Sequence, residues 1–220
     1  MARIFAAIPT GGTMRPELLP YFVNLIRNPK YKHHEINIAI TTQGMTVPNR
    51  GKLVNQFLES NCDWLLFLDA DMVPPPNALD MIDNGVEVCS GVYYTWLKDI
   101  LYPLVVEKSE RKEDKGMYLP YTKPFPEDTH LIEVDAVGAG ILLVHKSVFK
   151  KLKKPYFINL FDDDGQRTKG HDYLFCEKVK KAGYKVYVDT RVFCEHWKTI
   201  DLKRLHSWIL ENFVKGSEKK

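Results

Sequence analysis

Trp64 to Leu68 is an unbroken apolar run that ends on two carboxylates, Asp69 and Asp71, and is then closed by Pro74-Pro75-Pro76. Proline has no N–H to give a ladder, so the run cannot continue as a central strand. Five apolar residues with a hard stop predict a short strand buried on both faces, the habit of strands in a parallel sheet. Asp69 and Asp71 then fall at its C-terminal end, the edge of an open α/β sheet where ligands bind. Strand alternation would send both side chains to one side. Two carboxylates so close repel each other unless a cation lies near them. A hard divalent ion takes oxygen ligands and keeps positions open for phosphate oxygens. The competing assignment makes one Asp a helix cap and leaves the other solvated.

The flanking pattern fits that sheet. Arg3 to Ile8 predicts a first strand, followed by the polar loop Pro9-Thr10-Gly11-Gly12-Thr13. Arg15 to Ile26 has helical spacing, with Pro20 tolerated if it falls in the first turn. Glu35 to Thr42 alternates Ile36, Ile38 and Ile40 and predicts a second strand. Asn49 to Glu59 predicts a helix. The order β-α-β-α-β implies parallel strands joined by right-handed crossovers. Further on, the spacing predicts a short helix over 77–83 stopped by Asn84-Gly85 and strands over 86–94, 101–106, 131–134, 140–144 and 185–189. Helices are expected over 147–152, 171–182 and 201–214. Segments 109–115, 118–128 and 157–167 read as loops, with Asp162-Asp163-Asp164 assigned to loop solvation.

Composition excludes several classes. A net charge of +3 over 220 residues gives no electrostatic case for nucleic acid. No apolar run approaches the roughly 20 residues of a membrane helix. The start, Met1-Ala2-Arg3-Ile4-Phe5, passes straight into a strand pattern, so no secretory leader is expected. Cys62, Cys89, Cys176 and Cys194 form no CxxC pair and read as reduced core residues of a cytoplasmic protein. One domain is expected over 1–200, with a helix and Lys-rich tail over 201–220 packed on it. Leu202, Leu205, Trp208, Ile209 and Phe213 share a face of that helix. Packing across the sheet or on a second subunit is its expected use, and membrane-surface contact is the alternative.

The order strand, Pro-Thr loop, helix, strand, Asn49-Arg50, helix, and Trp64 through Asp69-Ala70-Asp71 resembles nucleotide-sugar-dependent glycosyltransferases of the GT-A fold, family-2-like with a DXD motif. Gly138-Ala139-Gly140, Gly170-His171-Asp172 and Cys194-Glu195-His196-Trp197 also fall where that superfamily has functional elements. The resemblance extends as far as Trp197. It implies an α/β fold with a mixed, mostly parallel central sheet flanked by helices. It implies transfer of a sugar from a nucleotide-diphosphate donor, a UDP-sugar, to a hydroxyl of a glycan, glycoprotein or small molecule, with Mn²⁺ or Mg²⁺ as cofactor. By the same resemblance Asp71 coordinates the ion and Asp69 contacts the ribose or the ion's shell. Pro9, Thr10, Arg50 and Ala70 surround the nucleotide. Gly138 and Gly140 admit the sugar or, alternatively, form a tight turn.

His196 would complete the metal shell, or else be a hydrogen-bonded core histidine beside Trp197. Asp172 would be the general base that takes the acceptor's proton. The family's usual Glu-Asp is His171-Asp172 here, and Asp also suits a helix's first turn for dipole reasons. Arg50 would add a fork of donors to phosphate or remain a surface arginine. Tyr93, Tyr94 and Trp96 offer aromatic faces to a sugar or to the core.

Two competing functions stand beside this one. Gly11-Gly12-Thr13-Met14-Arg15 loosely echoes the glycine-rich loop of sugar-1-phosphate nucleotidyltransferases, without its extra glycine or a downstream lysine motif. A non-catalytic carbohydrate-binding domain of the same fold is the other.

Overall fold

The computed structural model describes residues 1–42, 44–97, 100–113 and 115–211. Residues 212–214 of the expected last helix and the Lys-rich end lie outside the described residues. The strands are β1 Arg3–Ile8, β2 Glu35–Ile40, β3 Trp64–Leu68, β4 Met72–Val73, β5 Val88–Val92, β6 Tyr94–Leu97, β7 Ile100–Pro103 and β8 Val105–Lys108. They continue with β9 Tyr118–Pro120, β10 Leu131–Val134, β11 Ala136–Val137, β12 Ile141–His145, β13 Leu160–Phe161, β14 Arg167–Lys169, β15 Val186–Phe193 and β16 Glu195–His196. The helices are α1 Leu18–Arg27, α2 Thr46–Glu59, α3 Lys146–Lys151, α4 His171–Lys181 and α5 Leu202–Ile209, with a 3₁₀ turn over Ala78–Asn84.

Seven strands form the central sheet in the order β10-β15-β5-β12-β3-β1-β2. β1, β2 and β3 are mutually parallel. β12 runs against both β3 and β5, which aligns β5 with β3. β15 is parallel to β5, and β10 is antiparallel to β15. The sheet is therefore mixed, with most strands pointing one way. The expected parallel environment of β3 holds on its β1 side only, because β12 is its antiparallel neighbour.

The period of two in each strand divides the core into two layers. Leu65 and Phe67 face one side with Phe5, Ala7, Leu142 and Val144, against Leu53, Val54 and Phe57 of α2 and Phe175 and Val179 of α4. Leu66 and Leu68 face the other with Ile4, Ala6, Ile8 and Ile141, against Leu18, Phe22 and Leu25 of α1 and Leu79 and Met81 of the 3₁₀ turn. Each fully buried Leu or Phe removes enough apolar surface from water to stabilise by about 1.5–3 kcal/mol. All four cysteines are free and buried.

Several boundaries differ from the periodicity. β2 is an edge strand with Ile38 and Ile40 exposed, so its alternation does not mark a buried face. The expected 86–94 strand breaks after Val92 because β6 leaves the sheet to pair with β7 as a hairpin. The expected 157–167 loop contains the β13–β14 hairpin, with Asp162 accepting from the Gln166 N–H in its turn. α5 meets the β6–β7 hairpin through Trp208 on Trp96, ring centroids 4.7 Å apart. Among the described residues no helix is long and apolar enough to cross a membrane.

Gly91 shows how closely β5 and β15 approach. A Cβ there would lie 2.7 Å from the Val192 carbonyl oxygen, beside the irregularity between Asp189 and Phe193. Gly91→Ala is expected to lower unfolding free energy by about 1–3 kcal/mol. Urea denaturation checks this, and a wild-type midpoint would show that the strands can part without loss.

Candidate active site

β3 ends at Leu68, and the chain then turns, with the Met72 N–H donating to the Asp69 carbonyl at 3.0 Å. Asp69 and Asp71 lie in that turn rather than in the strand. Their carboxylates find different partners. Asp69 accepts from Arg50 Nη2 at 2.6 Å, and Asp71 pairs with Lys198 Nζ and lies 3.5 Å from His196 Nε2.

Both still line one cavity of about 530 Å³ at the C-terminal edge of β1 and β3. Pro9, Thr10 and Ala70, expected from the sequence, line it too. Thr13 and Arg15, from the loop that echoes the nucleotidyltransferases, line it as well; Thr46 and Lys198 were not expected there. The wall is held by the backbone. The Arg15 N–H donates to the Ala70 carbonyl at 2.7 Å, and Thr10 accepts from the Gly12 N–H. Thr46 opens α2, so that helix presents its first turn to the cavity, where free N–H groups favour anions.

Arg50 is neither a surface residue nor part of the cavity wall. It sits in the second turn of α2, 1% exposed, with Cζ 4.8 Å from the centre of the Phe67 ring and 5.7 Å from that of Phe157. Among the described residues its Nε and Nη1 have no hydrogen-bond partner. Its work is to hold Asp69, whose side chain is 29% exposed. Burial raises the Asp69 pKa, and Asp172 and Asp71 nearby add to the rise, while Arg50 opposes it.

The turn Gly138-Ala139-Gly140 connects these groups. The Gly140 carbonyl accepts from the Asp69 N–H at 2.8 Å, and the Ala139 backbone favours the ionised form of Asp172. The Gly140 N–H donates to the Tyr93 hydroxyl at 2.9 Å. A Cβ at Gly138 would fall 2.0 Å from Tyr93 Oη, and one at Gly140 2.8 Å from Tyr93 Cζ. Their lack of a side chain thus admits the buried Tyr93. Neither glycine lines the cavity.

Asp172 lies in the first turn of α4. The Asn159 side chain does the capping there, accepting from the His171 N–H at 2.9 Å. His171 Nε2 is 2.6 Å from Asp172 Oδ1, in contact without hydrogen-bond alignment. Burial alone would raise the Asp172 pKa, but His171, Arg50 and the Ala139 backbone outweigh it and bring it below the usual carboxylate range.

His196 reaches Asp71 because β16 pairs antiparallel with β4, setting His196 opposite Met72, and the Trp197 N–H extends that ladder to the Asp71 carbonyl at 3.0 Å. The Tyr94 carbonyl lies 2.7 Å from His196 Nδ1, so Nδ1 carries the proton. This turns Nε2 toward Asp71, the orientation metal-binding histidines take from such a carbonyl. Burial would raise the Asp71 pKa, but His196 and Lys198 outweigh it and bring it down to about 2. Among the described residues no three His, Cys, Asp or Glu side chains gather into a metal cage. The donor set nonetheless suits a hard or borderline cation that draws its remaining ligands from phosphate and water. It offers an ionised carboxylate and an oriented imidazole.

No protein-family model and no curated protein matches the chain. Solved structures do. A197 from STIV shares 22% identity at a TM-score of 0.58 over 90% of this chain and 87% of its own. GalNAc-T7, solved with UDP, GalNAc and Mn²⁺, shares 10% identity at a TM-score of 0.50 over 95% of this chain and 47% of its own, so this chain matches about half of that protein. A looser likeness, 9% identity at a TM-score of 0.44, is to CMP:2-keto-3-deoxy-manno-octonic acid synthetase. The fold is of the GT-A type.

The Arg50–Asp69 pair yields a prediction. Arg50→Met leaves Asp69 facing Asp172 and Asp71 without its cation, and is expected to cost roughly 1–3 kcal/mol at pH 7. Losing the arginine raises the Asp69 pKa further, so protonation relieves the repulsion and the deficit shrinks as pH falls through that raised value. Denaturation at pH 7 and pH 4.5 measures this; equal deficits would mean that the pair carries no electrostatic weight.

Proposed function

We propose that this chain is a metal-dependent glycosyltransferase that moves a sugar from a nucleotide-diphosphate donor, a UDP-sugar, to an acceptor hydroxyl. The observation that carries the reading is the Asp71–His196 pair. The Asp71 carboxylate lines a cavity of about 530 Å³, and the His196 imidazole, its Nδ1–H directed to the Tyr94 carbonyl, lies 3.5 Å from that carboxylate. Asp71 and His196 would hold Mn²⁺ or Mg²⁺, and a ring nitrogen suits Mn²⁺ better. When bound, the ion would supply charge neutralisation to the departing diphosphate.

In this reading Pro9, Thr10 and Ala70 flank the nucleotide, and the first turn of α2 at Thr46 faces its phosphates. Arg50 fixes Asp69 and keeps the site's excess of carboxylates from repelling itself. Asp172 is the general base. Its lowered pKa keeps it ionised at neutral pH, with His171 and the Ala139 backbone favouring that form. The second reading, nucleotidyl transfer to a sugar phosphate, draws on the loop Gly11 to Arg15, whose Arg15 guanidinium lies at the cavity wall, 4.3 Å from the centre of the Trp197 ring. The two part on the released product, nucleoside diphosphate for the first and pyrophosphate from a nucleoside triphosphate for the second.

A screen of nucleotide-sugars for Mn²⁺-dependent turnover and thermal stabilisation tests the assignment. Asp71→Ala is expected to abolish both. Undiminished metal-dependent turnover in that variant would end the assignment. Asp172→Asn is expected to lower kcat by about 10²–10⁴ while leaving Mn²⁺-dependent stabilisation in place. A wild-type kcat would remove Asp172 from the chemistry.

A further inference from the structure

Lys198 stands two residues beyond His196, and its ammonium pairs with Asp71 Oδ2, the same oxygen that faces His196. It lines the 530 Å³ cavity and also a second, more apolar one of about 410 Å³ walled by Tyr94, Trp96, Leu101 and Ile200. Its side chain is 50% exposed, so nothing packed around it locks the ammonium in place. An ammonium on a four-carbon stem is a mobile point charge with three donors. Lys198 therefore holds the carboxylate oxygen that a divalent ion would need, and it borders the space that a diphosphate would fill.

We propose that Lys198 is an internal counter-cation for the site: it neutralises Asp71 in the ligand-free chain, yields that carboxylate to the divalent ion, and then pairs with the donor's diphosphate. The inference rests on the reading that Asp71 and His196 hold the ion. Two consequences follow by linkage. An ion binding alone must break the Lys198–Asp71 pair, so it binds more weakly than a bare Asp71–His196 pair would allow. A diphosphate arriving with the ion gives the released ammonium a new partner, so Lys198 favours joint binding over either ligand alone.

The test titrates MnCl₂ alone, then UDP at saturating Mn²⁺, into the full chain by calorimetry. The variants are Lys198→Met, Lys198→Gln as a second neutral one, and Lys198→Arg. The neutral variants are expected to bind Mn²⁺ alone about two- to fivefold more tightly, the scale of a half-exposed ion pair, and to bind UDP with Mn²⁺ more weakly. Lys198→Arg should keep the wild-type Mn²⁺ affinity. Folded neutral variants that bind Mn²⁺ no more tightly than wild type would overturn the counter-cation role. If His196→Ala still weakens Mn²⁺ binding in that case, the metal site survives and only Lys198 loses its part. Absence of Mn²⁺ binding in wild type and neutral variants alike would overturn both.

Discussion

Excess negative charge at the C-terminal edge of the sheet is the constraint around which the rest is arranged. Asp69, Asp71 and Asp172 converge there, and each carries a pKa displaced by its surroundings. Carboxylates gathered in a partly desolvated place destabilise one another unless positive groups are built in with them. Arg50 meets that need from below, clamped by Phe67 and Phe157, and Lys198 meets it from the rim. The two differ in mobility. Arg50 is sealed in the core and acts on Asp69 as a fixed part of the fold, whereas Lys198 is half exposed and free to exchange partners.

Short backbone segments do the positioning. The turn 138–140 binds Asp69 and Tyr93 through the C=O and N–H groups of Gly140, and its Ala139 backbone favours ionised Asp172. The β4–β16 ribbon sets His196 beside Asp71 although the two are distant in sequence. Tyr93 is the packing element common to both, since its hydroxyl meets Gly140 and its ring lies edge-on to His196 at 5.3 Å. A change at Tyr93 would therefore disturb the surroundings of the 138–140 turn and of His196 together.

The residues the sequence left out of the site have a common trait. Lys198 and Thr46 are ordinary surface residue types at positions without a motif, and their presence at the cavity depends on how separate loops meet. Arg50 was singled out, but its function was placed on phosphate because the start of α2 was expected at Asn49. With the helix beginning at Thr46, Arg50 rotates from the open end toward the sheet. Gly138 and Gly140 were linked to a sugar, and the structure shows the side chain of Tyr93 in the space their missing Cβ atoms leave.

Local pattern alone determined the layered α/β fold, the buried β3, the edge at which Asp69 and Asp71 emerge, and the helix that begins with His171-Asp172. Each follows from periodicity and from stop signals such as the proline run and Gly183, which act within a few residues. Tertiary structure alone decided which partner these charges take: Arg50 for Asp69, and His196 and Lys198 for Asp71. Electrostatic and hydrogen-bonding partners are fixed by distances of a few ångströms between segments that the chain separates by up to 127 residues. No local rule encodes such distances; they exist once the sheet order and the β4–β16 pairing are set.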